Sequence, residues 1–213
     1  MAKATNPMRV IVLASRKGGV GKTTLACNLA VEAERVGAGP VGVVDTDPMA
    51  GLAGWWDARR HADAPALARP EPSLVAALAA LRKQGCRTAI VDTPPSAGAE
   101  VAATIRFADL VLVPVQPSPD DLRAVGVTVE LVERQRKPLC FILNRCKPRV
   151  RLTGEAAIAL SQHGTVAPVQ VADRAAYAAS KIDGHSAAEL SGAAAEEMDA
   201  LWHYVAKRLE RVA

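Results

Sequence analysis

The sequence predicts an α/β fold, a mostly parallel sheet with helices on both faces. Three observations predict it. Short apolar runs rich in valine, leucine and isoleucine recur along the chain, as strands buried on both sides do. Stretches of helical character separate these runs, which is the pattern of parallel strands joined by crossovers. The first run opens into Ser15-Arg16-Lys17-Gly18-Gly19-Val20-Gly21-Lys22-Thr23-Thr24 and then a helix, the strand–turn–helix context that a phosphate-binding loop needs. The chain has 213 residues, half of them apolar, enough for one sizeable core; one domain over 1–213 is expected, with 1–7 as a flexible N-terminus.

The elements follow in order. Arg9 to Ala14 reads as a buried strand, and Leu25 to Ala33 as a helix that ends near Gly37. Pro40 to Val44 is a second buried strand ending at Asp45-Thr46-Asp47-Pro48. Of Trp55 and Trp56, one is expected to pack under the sheet edge and the other to be partly exposed. Ala62 to Pro72 holds three prolines and reads as a loop, and Ser73 caps a helix from Leu74 to Lys83. Thr88 to Asp92 and Leu110 to Val115 are further strands; Gln116 to Asp121 turns into a helix reaching about Gln135. Leu139 to Asn144 is a strand, Lys147-Pro148-Arg149 a loop, Thr153 to about His163 a helix and Thr165 to Val171 a last short strand. A helix begins near Asp173 and breaks at Gly184; from Ala187 to about Arg211 a final helix repeats Leu201, Val205 and Leu209 at four-residue steps.

The loop chemistry is specific. Gly18, Gly19 and Gly21 let successive backbone N–H groups turn inward toward phosphate oxygens, and the positive end of the next helix adds to the attraction. Lys22 supplies a point charge to the β- and γ-phosphates, and the Thr23 hydroxyl suits a Mg²⁺ ligand. Apolar residues running into Asp92 form a second nucleotide-site pattern, with Asp92 holding Mg²⁺ through water. Gly19 and Gly21 with Asp45 partly match a dinucleotide fingerprint, but Thr24 stands where its third glycine belongs and that motif has no role for Lys22-Thr23. A nucleoside triphosphate is the expected ligand. Asn144 ends its strand with a side-chain amide that can both donate and accept; a plain strand end is the alternative to a binding role.

Composition narrows the function classes. Aromatic residues are 3% of the chain, too few for a base-stacking platform. The four cysteines, Cys27, Cys86, Cys140 and Cys146, form no CxxC pair and read as reduced thiols. The first seven residues lack the apolar core of a signal peptide, and no apolar run approaches a membrane span, so a soluble cytoplasmic protein is expected. Net charge is +4, yet Arg134 to Arg151 contains seven basic residues and no acid. Such a run is either a solvated face or the footprint of an anionic partner.

The segment from Lys17 to Thr24 resembles the deviant Walker A box of the ParA/MinD family of ATPases, whose early lysine matches Lys17 and whose usual first glycine is Arg16 here. The similarity runs from about residue 8 to about 195, strong at the Walker boxes and weak after Asn144. Asp45-Thr46-Asp47-Pro48 resembles the family's Asp-x-Asp-Pro-Gln segment, with Met49 replacing glutamine, and Thr93-Pro94-Pro95-Ser96 its second switch. A turn with a helix cap is the alternative for the two aspartates.

The resemblance implies a P-loop fold and a site for ATP and Mg²⁺ made by Gly18, Gly19, Val20, Gly21, Lys22, Thr23, Thr24 and Asn144. Thr23, Asp45 and Asp92 would hold the metal, the two aspartates through water. Lys17, Lys22 and Asp47 would be catalytic, Asp47 by positioning the attacking water and Lys17 by crossing to the other subunit's ATP. It further implies a homodimer formed on ATP binding, slow hydrolysis until a small ParB-type partner protein stimulates it, and a cargo of DNA or another large assembly on the nucleoid. The basic run, and not the resemblance, points to Arg145, Lys147, Arg149 and Arg151, with Arg174, as contacts for non-specific DNA; a solvated basic face is the alternative. A membrane-associated positioning ATPase of the MinD kind is the alternative; the last helix, alanine-rich and mixed in sign, argues against stable membrane insertion. An iron–sulfur electron carrier of the nitrogenase-reductase kind is disfavoured by the cysteine positions.

Overall fold

The computed structural model describes residues 7–59, 65–190 and 192–212. Most of the expected flexible N-terminus, residues 1–6, lies outside them, as do 60–64 in the expected loop. Seven parallel strands form one sheet in the order β3-β2-β4-β1-β5-β6-β7: β1 Arg9–Leu13, β2 Val41–Asp45, β3 Ala66–Ala68, β4 Thr88–Asp92, β5 Leu110–Val115, β6 Leu139–Leu143 and β7 Thr165–Val166. β1 is central, paired with β4 and β5. Its register sets Leu13 beside Asp92, and β2 sets Asp45 beside Asp92, so the ends of three strands meet where the phosphate loop begins.

Side chains alternate between two apolar layers. Ile11, Leu13, Val43 and Ile90 face α1 (Lys22–Arg35), α2 (Gly51–Ala58), α7 (Ala175–Ile182) and α8 (Ala193–Arg211). Val10, Val12, Val91 and Val113 face α3 (Leu74–Lys83), α4 (Ala99–Ile105), α5 (Pro119–Arg134) and α6 (Arg151–Ser161). The low aromatic content fits this packing, since alanine and valine let helices sit close on the sheet. Trp55 is buried and Trp56 half-buried, as expected. Among the described residues no helix is long and apolar enough to cross a membrane.

The chain departs from the sequence reading in three places. The stretch from Ala62 to Pro72 is not all loop: Ala66–Ala68 pairs parallel with β2, from Gly42 beside Ala66 to Val44 beside Ala68. Three residues between prolines carry no periodicity of their own; the free edge of β2 imposes the strand. The expected strand Thr165 to Val171 stops at Val166. Pro168 has no N–H for the ladder, and the chain rejoins β6 only where Val171 N donates to Leu143 O (2.9 Å). The final helix does not start at Ala187. A 3-10 turn, Ala187–Glu189, closed by a capping box between Ser186 and Glu189, comes first, and α8 follows Gly192 (φ 97). Leu201, Val205 and Leu209 are buried on α8, with Met198 and Trp202. The helices beginning near 153 and 173 are α6 and α7; α4 occupies a stretch that showed no distinct signal.

Candidate functional site

The phosphate loop hangs between β1 and α1. Gly19 and Gly21 take left-handed φ values of 74 and 96, and a Cβ on Gly21 would stand 2.2 Å from Asn144 Nδ2. Gly21 is the N-cap of α1, whose first turn has neither a side-chain cap nor an acidic residue, so its N–H groups are left for an anion. Val20 buries its side chain and presents its carbonyl to Asn144 Nδ2 at 2.7 Å. Gln116 Nε2, at the end of β5, donates to Gly19 O at 2.9 Å.

Lys22 is buried, its ammonium 3.3 Å from Ser15 O. Burial lowers its pKa, opposed by the charges of Asp92 and Asp47. Thr23 Oγ1 donates to Asp92 Oδ2 at 2.5 Å, while Asp92 Oδ1 is buried with no hydrogen-bond partner among the described residues. Burial above all lifts the Asp92 carboxyl to about 7; the Thr23 hydrogen bond and Lys22 oppose this, and Asp45 and Asp47 add to it. An orphaned carboxylate oxygen beside a threonine hydroxyl, among like charges, fits a divalent cation, which would satisfy the oxygen and neutralise the cluster.

Asp45 does more than the motif suggested. Its Oδ2 accepts from Leu52 N (2.8 Å) and Ala53 N (2.9 Å) and its Oδ1 from Asp47 N (3.0 Å), so it caps α2 and pins the Asp47 turn. Asp47 is half-buried and accepts from Met49 N (3.0 Å). Both readings of the paired aspartates therefore meet here: Asp45 is a helix cap and also the neighbour of Asp92. The far end of α2 is fastened too. Trp55 Nε1 donates to His185 O (2.9 Å), and Arg59, over the Trp55 ring, donates to Gly184 O (2.9 Å) and Glu189 (2.6 and 2.8 Å).

Lys17 is not extended toward solvent. Its ammonium pairs with Asp121, a buried residue of the first turn of α5 in the same chain, and Thr128 Oγ1 accepts from Arg16 N at 3.1 Å. Asp121 carried no motif and was missed in the sequence.

Beside the loop lies a cavity of about 290 Å³, bounded by Gly21, Thr24, Leu25, Asn144, Val171 and Tyr177, with Arg145, Asp173 and Arg174 at its rim. Glu197 on α8 shapes it. Its Oε1 accepts from Arg174 Nε (2.9 Å) and Nη2 (2.7 Å), and its Oε2 from Tyr177 Oη (2.6 Å) and Ala172 N (3.2 Å). One carboxylate thus fixes three residues of the cavity wall. Glu197→Gln is expected to raise the KM for ATP roughly tenfold with kcat little changed, since a wall that loses a charge-assisted brace of about 1.5 kcal/mol must be ordered at that cost when ATP binds, in ground state and transition state alike. Steady-state kinetics over an ATP titration checks this.

The residues singled out for DNA separate. Arg145 pairs with Asp173 (3.2 Å), Arg151 with Glu155 (2.7 Å) and Arg174 with Glu197, while Lys147 and Arg149 are exposed and have no ion pair among the described residues. The four cysteines are buried and free, burial raising the Cys140 and Cys146 thiols to about 11.

A glycine loop at a helix N-terminus, a buried lysine, and a threonine–aspartate pair at the ends of central parallel strands define a P-loop nucleotide-binding protein. Residues 11–186 match the family model for the CobQ/CobB/MinD/ParA nucleotide-binding domain, and the chain belongs to that family of ParA/MinD-type ATPases. It is 32% identical to the maintenance of carboxysome distribution protein A of Halothiobacillus neapolitanus over 95% of this chain and 98% of that protein. The protein of the same description from Gloeobacter kilaueensis is 34% identical over 99% and 98%. Among solved structures, apo McdA from Cyanothece superposes with a TM-score of 0.74 at 20% identity, covering 95% of this chain and 99% of that one. An ATP complex of a Cyanothece McdA variant gives 0.70 at 17% over 96% of each chain; MinD with Mg-ADP from Pyrococcus horikoshii gives 0.73 at 18% over 97% and 99%.

Proposed function

We propose that this chain is an ATP-hydrolysing positioning protein that distributes a large intracellular assembly, using non-specific DNA as its support. End-to-end similarity to two carboxysome-distribution proteins carries the reading; the chromosome-partitioning ATPase Soj of Thermus thermophilus matches 69% of the chain. ATP and Mg²⁺ are its ligands. The amides of Gly18 to Thr24 and the Lys22 ammonium hold the phosphates, Asn144 and the Glu197-braced wall hold the base, and Thr23 with Asp92 hold Mg²⁺. When bound, the cation neutralises the charge that builds on the phosphates. Asp45, its carboxylate engaged by amides, would support the cation only indirectly, by holding the Asp47 turn. Asp47 orients the attacking water. Lys17 leaves Asp121 and reaches the γ-phosphate held by a second copy of the chain, so a complete site needs two subunits. A small activating partner protein, of the ParB type or equivalent, would speed hydrolysis. Lys147 and Arg149 are the DNA contacts at this end of the molecule.

A second reading, plasmid partition, is favoured by 29% identity to the protein ParA of Rhizobium radiobacter over 81% of the chain. Gene deletion separates the two. Loss of the chain should leave carboxysome-type shell assemblies clustered, with plasmids inherited normally. Evenly spaced assemblies with plasmid loss would overturn the first reading in favour of the second.

A further inference from the structure

The crown of the phosphate loop takes its shape from two side chains outside it. Gln116, half-buried just beyond β5, donates from Nε2 to Gly19 O (2.9 Å), and Asn144, just beyond β6, donates from Nδ2 to Val20 O (2.7 Å). A trans peptide is planar, with its carbonyl and its N–H on opposite edges. Drawing the Gly19 and Val20 carbonyls toward the ends of β5 and β6 therefore turns the Val20 and Gly21 N–H groups away from those strands. β4, which carries Asp92 with Thr23 against it, lies on the other side of β1. Successive amides turned to that side make the concave nest that an anion needs.

Gly19 alone does not keep this arrangement. Glycine visits a φ of 74 as readily as negative values, so the peptide that follows Gly19 rotates at little cost. Water would satisfy Gly19 O equally well, since the bond lies at the surface; what the side chain adds is direction. The tie is one of three from a single stretch of chain. Arg16 N donates to Thr128 Oγ1 (3.1 Å) and Lys17 pairs with Asp121, both on α5, which begins just beyond Gln116. The Lys17 tie is the one given up when that lysine crosses to a second copy. We propose that Gln116 is a positioning residue for phosphoryl binding, holding the Gly19–Val20 peptide with its N–H toward the phosphates. Asn144 does the same for the next peptide, besides its place at the base, and the hold on Gly19 persists when Lys17 leaves α5. This role rests on the loop being an ATP site.

The test uses two ligands that share a triphosphate: inorganic tripolyphosphate and a non-hydrolysable ATP analogue, each titrated calorimetrically into the full chain with Mg²⁺. Only tripolyphosphate that the analogue displaces is counted. Gln116→Met keeps the side chain's length and loses its donor. It should weaken both ligands by one common factor, roughly three- to tenfold, the worth of a neutral hydrogen bond, with the melting temperature of the free protein unchanged. Gln116→Glu sets a carboxylate beside the phosphates; it should lose more for both ligands and serves if Gln116→Met does not fold. Asn144→Ala should weaken tripolyphosphate as well as the analogue, whereas a residue that only reads the base would leave tripolyphosphate untouched and lose its share of the proposal. In Lys17→Ala/Asp121→Asn protein the Gln116→Met factor should be undiminished; its disappearance there would tie the hold to Lys17 and overturn it. Parental affinity for both ligands in the folded Gln116 variants overturns the proposal. So does a loss confined to the analogue, which would put Gln116 at the sugar or base, or a loss matched by a lower melting temperature of the free protein. A parent chain that binds neither ligand fails the ATP reading itself, before any variant is made.

Discussion

Asp47→Ala is expected to leave the chain filled with ATP, paired with a second copy, and nearly unable to turn over. The carboxylate is half-buried at the end of β2, held by Met49 N and by the Asp45 turn, and it adds charge to the Asp92 cluster without filling a place beside Thr23. Its removal takes away the group proposed to orient water and leaves the phosphate cradle intact. Positioned acid–base groups contribute roughly 10²- to 10⁴-fold, so kcat should fall by at least about 10² while ATP affinity holds or rises. Sedimentation with ATP should show a dimer that outlasts the parent's. Hydrolysis at the parent rate would show that another group handles the water.

Lys17→Ala is expected to have the opposite signature: hydrolysis lost and no ATP-dependent dimer. The ammonium pairs with Asp121 of α5 instead of turning into the loop as Lys22 does, and it is 38% exposed there. Losing a donor that acts on transition-state charge costs about 10² to 10³ in rate. A second loss accompanies it, because Asp121 is buried and would keep a carboxylate with no cation. Lys17→Ala/Asp121→Asn separates the two effects. The melting temperature should recover in the double variant while hydrolysis and dimerisation stay absent. A double variant that hydrolyses ATP like the parent would remove Lys17 from the mechanism.

The central part of the site is legible in the sequence because its chemistry sits where apolar runs stop. Asp45, Asp92 and Asn144 each stand at or beside a strand end, Lys22 and Thr23 open the helix that follows the first strand, and a parallel sheet gathers such ends on one edge. Asp121 and Glu197 were not legible. Each is an acid in an ordinary helical stretch, and each acquires its role from partners that only the packing supplies, Lys17 for the one and Ala172, Arg174 and Tyr177 for the other. The charge run divides for a related reason: a buried strand of five residues spans about 17 Å, so neighbours in sequence ended on opposite ends of the sheet. β3 is visible only from its pairing, while Gly192 did mark the true start of α8, a signal present and unused.

The double fastening of α2 has a mechanical consequence. Its first turn is gripped by the aspartate that also holds the Asp47 turn; its last residues are clasped, through Trp55 and Arg59, to the segment from Gly184 to Glu189. A rod anchored at both ends cannot tilt at one alone. A shift of residues 184–189 would therefore be carried along α2 to the turn that holds Asp47, and a shift of that turn carried back to a segment whose Ser186, Ala187 and Ala188 are buried in the core.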